Sequence, residues 1–219
     1  MNDPERIAPY KYEQLDDDSV RLLALHPAHR FDDPLECEII HIKRPGIADS
    51  LFCVEGQGYE AISYVWGAPD LRKELFCPKS FSSIRITRNV DIVLRYLRKS
   101  CKPRRLWLDA ICIDQQNNEE KAVQVLQMGR IYYAAQKVHI WLGEEDEAAR
   151  MFFHLLKRLA WTEHGMTTTQ AVWDEVCQVH GRQSLELLSK FVRECSYFSR
   201  RWIIQEAAFS RNTILRCAH

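Results

Sequence analysis

The stretch from Leu106 to Gly143 constrains the fold of this chain more than any other part of it. It begins with the short apolar run Leu106–Asp109, which has the character of a strand buried on both faces. A polar loop follows, then a long helix over Glu119–Ala135, and then a second strand at Val138–Leu142. A strand, a helix and a strand in this order predict a parallel sheet with right-handed connections.

The rest of the sequence predicts further elements around this unit. Two alternating runs near the amino terminus predict a β-hairpin at the edge of the sheet, and a strand at Tyr59–Tyr64 leads into a glycine turn. Asn89 is the predicted N-cap of the first helix. The hairpin strands span 20–25 and 35–42, and further strands are predicted at 74–77, 83–87 and 213–217. Helices are predicted at 89–100, 145–160, 167–179, 185–195 and 200–209. The fold class is therefore α/β, an open parallel sheet flanked by helices, with an N-terminal β-hairpin and an extra helical region.

The composition narrows the classes of function. The 219 residues are 46% hydrophobic and 27% charged, as in ordinary globular proteins. The 30 Lys and Arg residues balance 30 Asp and Glu residues, which argues against a nucleic-acid partner. No apolar run is long enough to span a membrane, and the amino terminus lacks the apolar core of a signal peptide.

Eight cysteines are scattered along the chain, without a CxxC pair and without a Cys/His cluster of zinc spacing. Several lie in apolar runs, which favours buried, reduced thiols in a cytoplasmic protein. We therefore expect a cytoplasmic location and no metal site. The sequence ends at His219 directly after a predicted strand, which is typical of a fragment of a longer protein.

Polar and aromatic side chains follow three of the predicted strands, at the points where those strands end. In a parallel sheet these ends meet at one edge, which is where α/β sheets bind ligands. A pocket needs a stacking surface, polar orienting groups and space for close approach. The candidate binding residues at this edge are Ser63, Tyr64, Trp66, Gly67, Asp109, Asp114 and Gln115. Trp202 is a further candidate binding residue, because either Trp66 or Trp202 could stack a ring of the ligand. The alternative for Trp66, and for Trp141 on the third strand, is a place in the core, which is commoner for a tryptophan near a strand end.

Glu206 is the candidate reacting group. It lies four residues after Trp202, so a helix presents both side chains on one face. A carboxylate beside a large aromatic ring is partly desolvated and can act on a bound ligand. The alternative is that Glu206 pairs with Arg200 or Arg201 or faces solvent, and the spacing alone favours this alternative. The sequence has no GxGxxG or Walker phosphate loop and no GxSxG nucleophile elbow.

Three blocks of this sequence resemble the heterokaryon incompatibility (HET) domain of filamentous fungi. They are AISYVWG at 61–67, the stretch at 105–143 that contains LWLDAICIDQQ, and SRRWIIQEAAFS at 199–210. The blocks occur in the family's order and together span most of the chain. The resemblance implies a role in non-self recognition, in which fused cells of incompatible strains die.

The same resemblance implies a domain organisation. We expect an N-terminal arm at 1–19 and one HET domain over 20–219. Within that domain, the family varies over about 144–198, so we expect a variable helical insertion there.

HET domains are also similar to TIR domains, which implies a flavodoxin-like sheet. RRWIIQE resembles a TIR block in which a Trp and a Glu have the spacing of Trp202 and Glu206, with Ile203 in place of that block's cysteine. In many TIR domains this glutamate serves in NAD hydrolysis. The resemblance thus implies Glu206 as a catalytic carboxylate and NAD as a substrate rather than a bound cofactor. The alternative is a non-catalytic module that signals by self-association or through a partner protein.

Overall fold

The computed structural model describes residues 7–16, 18–43, 58–162, 168–180, 184–200 and 203–218. The chain divides into two compact units. One unit comprises the described residues up to Trp141 together with 203–216, and the other comprises the described residues of 142–200 together with 217 and 218.

A six-stranded sheet organises the first unit, and its strand order is β3-β2-β7-β4-β8-β9. These strands are β2 (Ser19–Leu25), β3 (Cys37–Lys43), β4 (Glu60–Ser63), β7 (Arg104–Trp107), β8 (Lys137–Glu144) and β9 (Thr213–Ala218). β4 is parallel to both β7 and β8, whereas β2 is antiparallel to both β3 and β7. The predicted edge hairpin is confirmed, and because it joins through β2 the sheet is mixed rather than wholly parallel.

The position of β4 in this sheet matters for function. β4 is the first of its strands after the hairpin, and the next two along the chain, β7 and β8, lie on either side of it. With β9 beyond β8, the order agrees with the first four strands of the flavodoxin-like arrangement. The chain therefore changes direction across the sheet at β4, and a crevice for a ligand is expected at the carboxyl end of that strand.

Helices flank the strands, which confirms the α/β class. They are α1 (Arg88–Leu97), α2 (Asp109–Cys112), α3 (Asn118–Ala134), α4 (Glu147–Thr162), α5 (Thr169–His180), α6 (Ser184–Glu194) and α7 (Ile203–Ala208). α1 buries a stripe of apolar side chains, and α3 connects the parallel strands β7 and β8. Trp107, which has no exposed surface, packs its ring edge-on against Tyr132 of α3 with centroids 5.3 Å apart.

The helix starts follow local chemistry. The side chain of Asn117 accepts hydrogen bonds from the backbone N–H groups of Glu119 and Glu120, so it caps α3. α1 is capped by Thr87, whose side chain accepts from Val90 N, and the predicted cap Asn89 was therefore wrong. Asn89 instead donates to a backbone oxygen elsewhere in the fold.

A second, three-stranded sheet has the order β1-β6-β5, with β1 at Ala8–Pro9, β5 at Lys73–Cys77 and β6 at Ser82–Ile86. β5 and β6 form an antiparallel pair, and β1 lies parallel to β6. The backbone N–H of Phe76 donates to Leu35 O at 2.9 Å, which brings β5 against the segment leading into β3. The two sheets therefore meet near the amino end of β3.

The second unit contains α4, α5 and α6. Its core forms around Met151, Val172 and Val176, with partly buried leucines from α4 and α6 packed against them. Phe152 and Phe191 add a tilted ring contact with centroids 4.7 Å apart. Among the described helices none has the length and apolar character needed to cross a membrane.

Candidate functional site

Glu206 lies in the short helix α7 and is buried, with 1% of its surface exposed. The hydroxyl of Ser63, which is equally buried, donates a hydrogen bond to Glu206 Oε2. Because Ser63 ends β4, this bond ties α7 to the carboxyl end of that strand across 143 residues of sequence. The solvent-facing alternative for Glu206 was therefore wrong. A carboxylate taken out of water needs such donors, since its burial is otherwise costly.

Trp66 and Asp109 join the ends of two neighbouring parallel strands. The indole Nε1–H of Trp66, beyond β4, points at both carboxylate oxygens of Asp109, beyond β7, at 3.1 and 3.0 Å. Trp66 is 41% exposed, so it is not a core residue. Trp141, by contrast, is buried against Tyr96, as the core alternative proposed. The edge thus presents one open aromatic ring held in place by a carboxylate.

Gly67 has a structural reason for its place in this turn. Its φ of +75° lies in the left-handed region, and a Cβ there would come within 2.6 Å of Asn89 Nδ2. Asn89 itself donates to Val65 O at 3.0 Å, which fixes the turn to α1. Gly67 therefore permits a close approach of the turn to Asn89.

The loop after β7 is organised by its own hydrogen bonds. Asp109 begins α2 rather than ending the strand, and its Oδ1 accepts from Ala110 N at 2.8 Å. Gln115 Nε2 donates to the backbone oxygen of Asp109 at 2.9 Å. Asp114 accepts from Gln116 N at 3.0 Å in a turn of the loop. Asp109 therefore faces the edge with Trp66, while Gln115 and Asp114 support the loop.

Two predicted binding residues remain, Tyr64 and Trp202. Tyr64, directly after Ser63, is buried with 2% of its surface exposed. Trp202 lies outside the described residues. The structure therefore brings together Ser63 with Glu206 and Trp66 with Asp109.

Arg21 holds the loop after β7 in place, and sequence reasoning missed it. Arg21 of β2 has no exposed surface, and its Nη2 donates to Glu120 Oε2 at 2.8 Å. Its Nη1 also donates to Cys112 O at 3.4 Å, and Glu120 Oε1 accepts from Asp114 N at 2.9 Å. An arginine in the apolar strand VRLLAL was the available signal, because a buried arginine needs a partner. The pair fixes the loop after β7 to the start of α3.

A second polar cluster lies toward the opposite ends of the parallel strands. Glu60 of β4 accepts from Arg104 of β7, with Arg104 Nε at 3.2 Å from its Oε2. The same oxygen contacts Nε2 of His139 on β8, and Arg216 Nε on β9 donates to His139 Nδ1 at 2.9 Å. Charged residues within otherwise apolar strands were the signal for this cluster.

The cluster fixes the protonation of its members. Burial acts to raise the pKa of Glu60, but hydrogen bonds from His139 and Arg104 outweigh it and hold the pKa at about 2. Burial lowers the pKa of His139, the bond to Glu60 opposes this, and the charge of Arg104 adds to the lowering. Because Arg216 can only donate, His139 Nδ1 accepts, and Nε2 faces the carboxylate of Glu60 with Arg104 Nη2 3.0 Å away. Within the described ranges, no three His, Cys, Asp or Glu side chains are grouped so that they could hold a metal ion.

The fold and this edge together define an α/β domain with a polar and aromatic site at the carboxyl ends of its parallel strands. The chain belongs to the heterokaryon incompatibility (HET) family, because residues 59–206 match the family model described as "Heterokaryon incompatibility protein (HET)". The matched region begins just before β4 and ends at Glu206, so it contains every candidate site residue named above.

A curated relative gives the same family name. The chain is 30% identical over 236 residues to "Heterokaryon incompatibility protein 6, OR allele" of Neurospora crassa, and the similarity covers 91% of this chain. It covers 33% of the relative, so the chain spans about a third of that protein's length. No solved structure matches the fold.

Proposed function

We propose that this chain is a cell-death effector domain of fungal heterokaryon incompatibility and that it hydrolyses NAD at the bond between nicotinamide and ribose. Glu206 is the catalytic carboxylate in this proposal. The observation that carries it is the buried contact between Glu206 and Ser63 at the carboxyl end of β4. Family membership supports the biological role, and the resemblance of 202–206 to the TIR Trp-to-Glu block supports the reaction.

Hydrolysis of NAD requires few groups from the protein beyond one correctly placed carboxylate. Nicotinamide leaves the ribose as a neutral molecule from a cationic precursor, so the reaction needs no general acid. The developing oxocarbenium ion is stabilised by a nearby negative charge and by hydrogen bonds to the ribose hydroxyls. Because Glu206 is almost fully shielded from water, its charge acts on a bound ribose with little dielectric screening. Ser63 orients the carboxylate for that task.

Trp66 and Asp109 complete the proposed substrate site. An exposed indole offers a face on which a flat ring of NAD stacks. Asp109 fixes the edge of that indole, so the ring does not have to be ordered when the substrate binds. The aromatic ring is thus a binding element, whereas Glu206 is the reacting one.

The test follows nicotinamide release from NAD by the purified chain at high protein concentration. Glu206→Gln keeps the size of the side chain and removes its charge, so we expect release to fall at least ~100-fold. Glu119→Gln is the matched control, because Glu119 is an exposed glutamate in the first turn of α3 and should release nicotinamide like the wild type. A folded Glu206→Gln protein that releases nicotinamide at the wild-type rate would remove the catalytic assignment.

The second candidate function is a non-catalytic module that signals through self-association or a partner protein. Two exposed apolar side chains on α3 favour it, because Val123 is 40% and Leu126 is 83% exposed and they lie three residues apart on the helix. Sedimentation of the wild type and of Leu126→Glu tests this function. Self-association that the substitution abolishes, in a protein without NAD turnover, would favour signalling over hydrolysis.

A further inference from the structure

Two cysteines meet where the two sheets of the first unit come together. Cys37 is the first residue of β3 in the six-stranded sheet, and Cys77 is the last residue of β5 in the three-stranded sheet. Their Sγ atoms lie 3.5 Å apart although 40 residues separate them in sequence. Both side chains are buried, with 0% and 2% of their surface exposed. No element of the proposed NAD site uses them.

A cavity gives small molecules a route to this pair. It has a volume of about 450 Å³, and both Cys37 and Cys77 contribute to its wall. Tyr10, Lys11 and Ser82 line it as well, so the wall is partly polar and carries a cation. The space exceeds by far what one water-sized reactant needs. A reactant as small as a peroxide can therefore enter the cavity and approach Cys77, which keeps 2% of its surface exposed, without unfolding the unit.

The surroundings distinguish the two thiols. A hydrogen bond from Cys37 lowers the pKa of Cys77 against the opposing effect of burial, and a hydrogen bond from Ser82 lowers it further. The same contact and burial raise the pKa of Cys37. Cys77 is therefore the thiol that ionises first, and the thiolate is the nucleophilic form of cysteine.

We propose that Cys37 and Cys77 are a redox pair in which a small peroxide entering the cavity converts the two thiols into a reversible disulfide that joins the two sheets. Formation brings the sulfur atoms from the 3.5 Å of this contact to the ~2.05 Å of a disulfide bond. The cavity on one side of the pair leaves room for that motion.

The reaction balances in two steps with hydrogen peroxide as the oxidant. The Cys77 thiolate attacks one peroxide oxygen, the O–O bond breaks, and the departing hydroxide takes the thiol proton to form water and a sulfenic acid on Cys77. The Cys37 sulfur then attacks the Cys77 sulfur, the S–O bond breaks, and the hydroxyl group leaves as water with the Cys37 proton. Two thiols lose two electrons in all, and one peroxide gains them. A dithiol reductant reverses the product by exchange.

Peptide mapping under non-reducing conditions tests the proposal. The chain carrying Cys101→Ser, which removes an exposed thiol, is treated with hydrogen peroxide, and remaining thiols are alkylated after denaturation. We expect a peptide that links Cys37 to Cys77, the loss of those two alkylation sites, and their return after dithiothreitol. Recovery of both cysteines as alkylated thiols, under peroxide treatment that oxidises Cys101 in the wild type, would overturn the proposal.

Single substitutions test the assigned roles. In Cys37→Ser the second step cannot occur, so the Cys77 sulfenic acid should persist and be trapped by dimedone. In Cys77→Ser the dimedone adduct on Cys37 should be at least ~10-fold less abundant, because burial still raises the pKa of the Cys37 thiol. An adduct found mainly on Cys37 would overturn the assignment of Cys77 as the nucleophile. The peptide map of the chain with both cysteines decides the proposal even where a substitution impairs folding.

Discussion

His139 resists a second ring proton because both of its ring nitrogens already have polar neighbours. Nδ1 accepts from Arg216, and Nε2 contacts the carboxylate of Glu60. A second ring proton would have to face the Arg216 guanidinium in a site with 1% exposure, so the folded protein resists protonation of this ring. Because the pKa of His139 is lowered in the folded chain, the free energy of unfolding depends on pH.

The direction of this dependence follows from the lowered pKa of His139. The unfolded chain binds a proton near pH 6.5, whereas the folded chain binds it only at lower pH. The contribution of His139 to stability is therefore fully present above pH 6.5 and is lost as the pH falls below it, by at most ~1.4 kcal/mol per pH unit. Urea unfolding between pH 7 and pH 5 should show the fall in wild type and a flatter profile in His139→Gln.

The exposed His41 supplies the control for this measurement, because His41→Gln should leave the slope unchanged. A slope that is the same in wild type and in His139→Gln would contradict the lowered pKa of His139. The low pKa of Glu60 belongs to a separate window, since its contribution is present above pH 4.5 and is lost as the pH falls toward about 2.

At the scale of single residues, the sequence indicated which side chains could form a site but not which groups they contact. Ser63 and Asp109 could be chosen because polar groups after buried strands are unusual. The bond between Ser63 and Glu206 could not be foreseen, because it depends on where a short helix 143 residues later comes to rest. The burial of Glu206 was misjudged for the same reason.

At the scale of elements, α3 and the loop before it depend on the ion pair between Arg21 and Glu120. Arg21 has no exposed side-chain surface, and Glu120 has 10%. We expect Glu120→Gln to lower the free energy of unfolding by about 3 kcal/mol, because it leaves the guanidinium buried without a counter-charge. If the proposed reaction holds, the same change should reduce NAD turnover, since Glu120 also accepts from the backbone N–H of Asp114.

The neighbouring Glu119 makes a matched comparison by urea unfolding. Both glutamates lie in the first turn of α3 and interact with its dipole, but Glu119 is exposed, so Glu119→Gln should cost less than about 1 kcal/mol. Arg21→Met should lower the free energy of unfolding less in the Glu120→Gln protein than in the wild type. In the wild type the substitution leaves the Glu120 carboxylate without its partner, whereas in the Glu120→Gln protein that charge is already absent. Equal costs for the two glutamate substitutions would show that the ion pair does not carry the effect.

Most elements were predictable because their patterns are local. Alternation identified the hairpin strands β2 and β3, and helical periodicity identified α3. The end of β7 was less predictable, because Asp109 was assigned to the strand although it begins α2. Strand and helix starts can share the same apolar residues, and only the hydrogen bonds of the folded chain separate them. Asn89 illustrates the same limit, since its side chain caps nothing and instead holds a distant turn.

At the scale of the whole chain, no covalent bond joins the two sheets of the first unit through Cys37 and Cys77 while these thiols are reduced. A disulfide between Cys37 and Cys77 would close a 40-residue loop and restrict the unfolded chain. Such a loop stabilises a protein by about 3 to 4 kcal/mol when the bond forms without strain. We expect the oxidised chain to unfold at a higher urea concentration than the reduced chain. In Cys77→Ser the two treatments should give one midpoint, and an oxidised wild type that unfolds no later than the reduced one would contradict the expectation.

The α/β architecture could be predicted from the order of elements, whereas the meeting of the two sheets could not. Cys37 and Cys77 each lie in a short strand, and nothing in their local sequence indicates a common neighbour. We expected buried, reduced thiols, and the contact between these two depends on the pairing of β5 with the segment before β3. Long-range contacts of this kind are set by the packed structure rather than by periodicity.

The open ring of Trp66 has one more consequence. Indoles in water emit light at longer wavelengths than indoles in an apolar interior, and Trp107 and Trp141 are both buried. Trp66 is partly in solvent and sits at the edge where a ligand would stack, so its emission contributes at the red side of the spectrum. A molecule covering that ring would change the emission that Trp66 contributes, to which the emission of the half-buried Trp173 adds. Trp66 is therefore an intrinsic fluorescent probe at the carboxyl ends of the parallel strands.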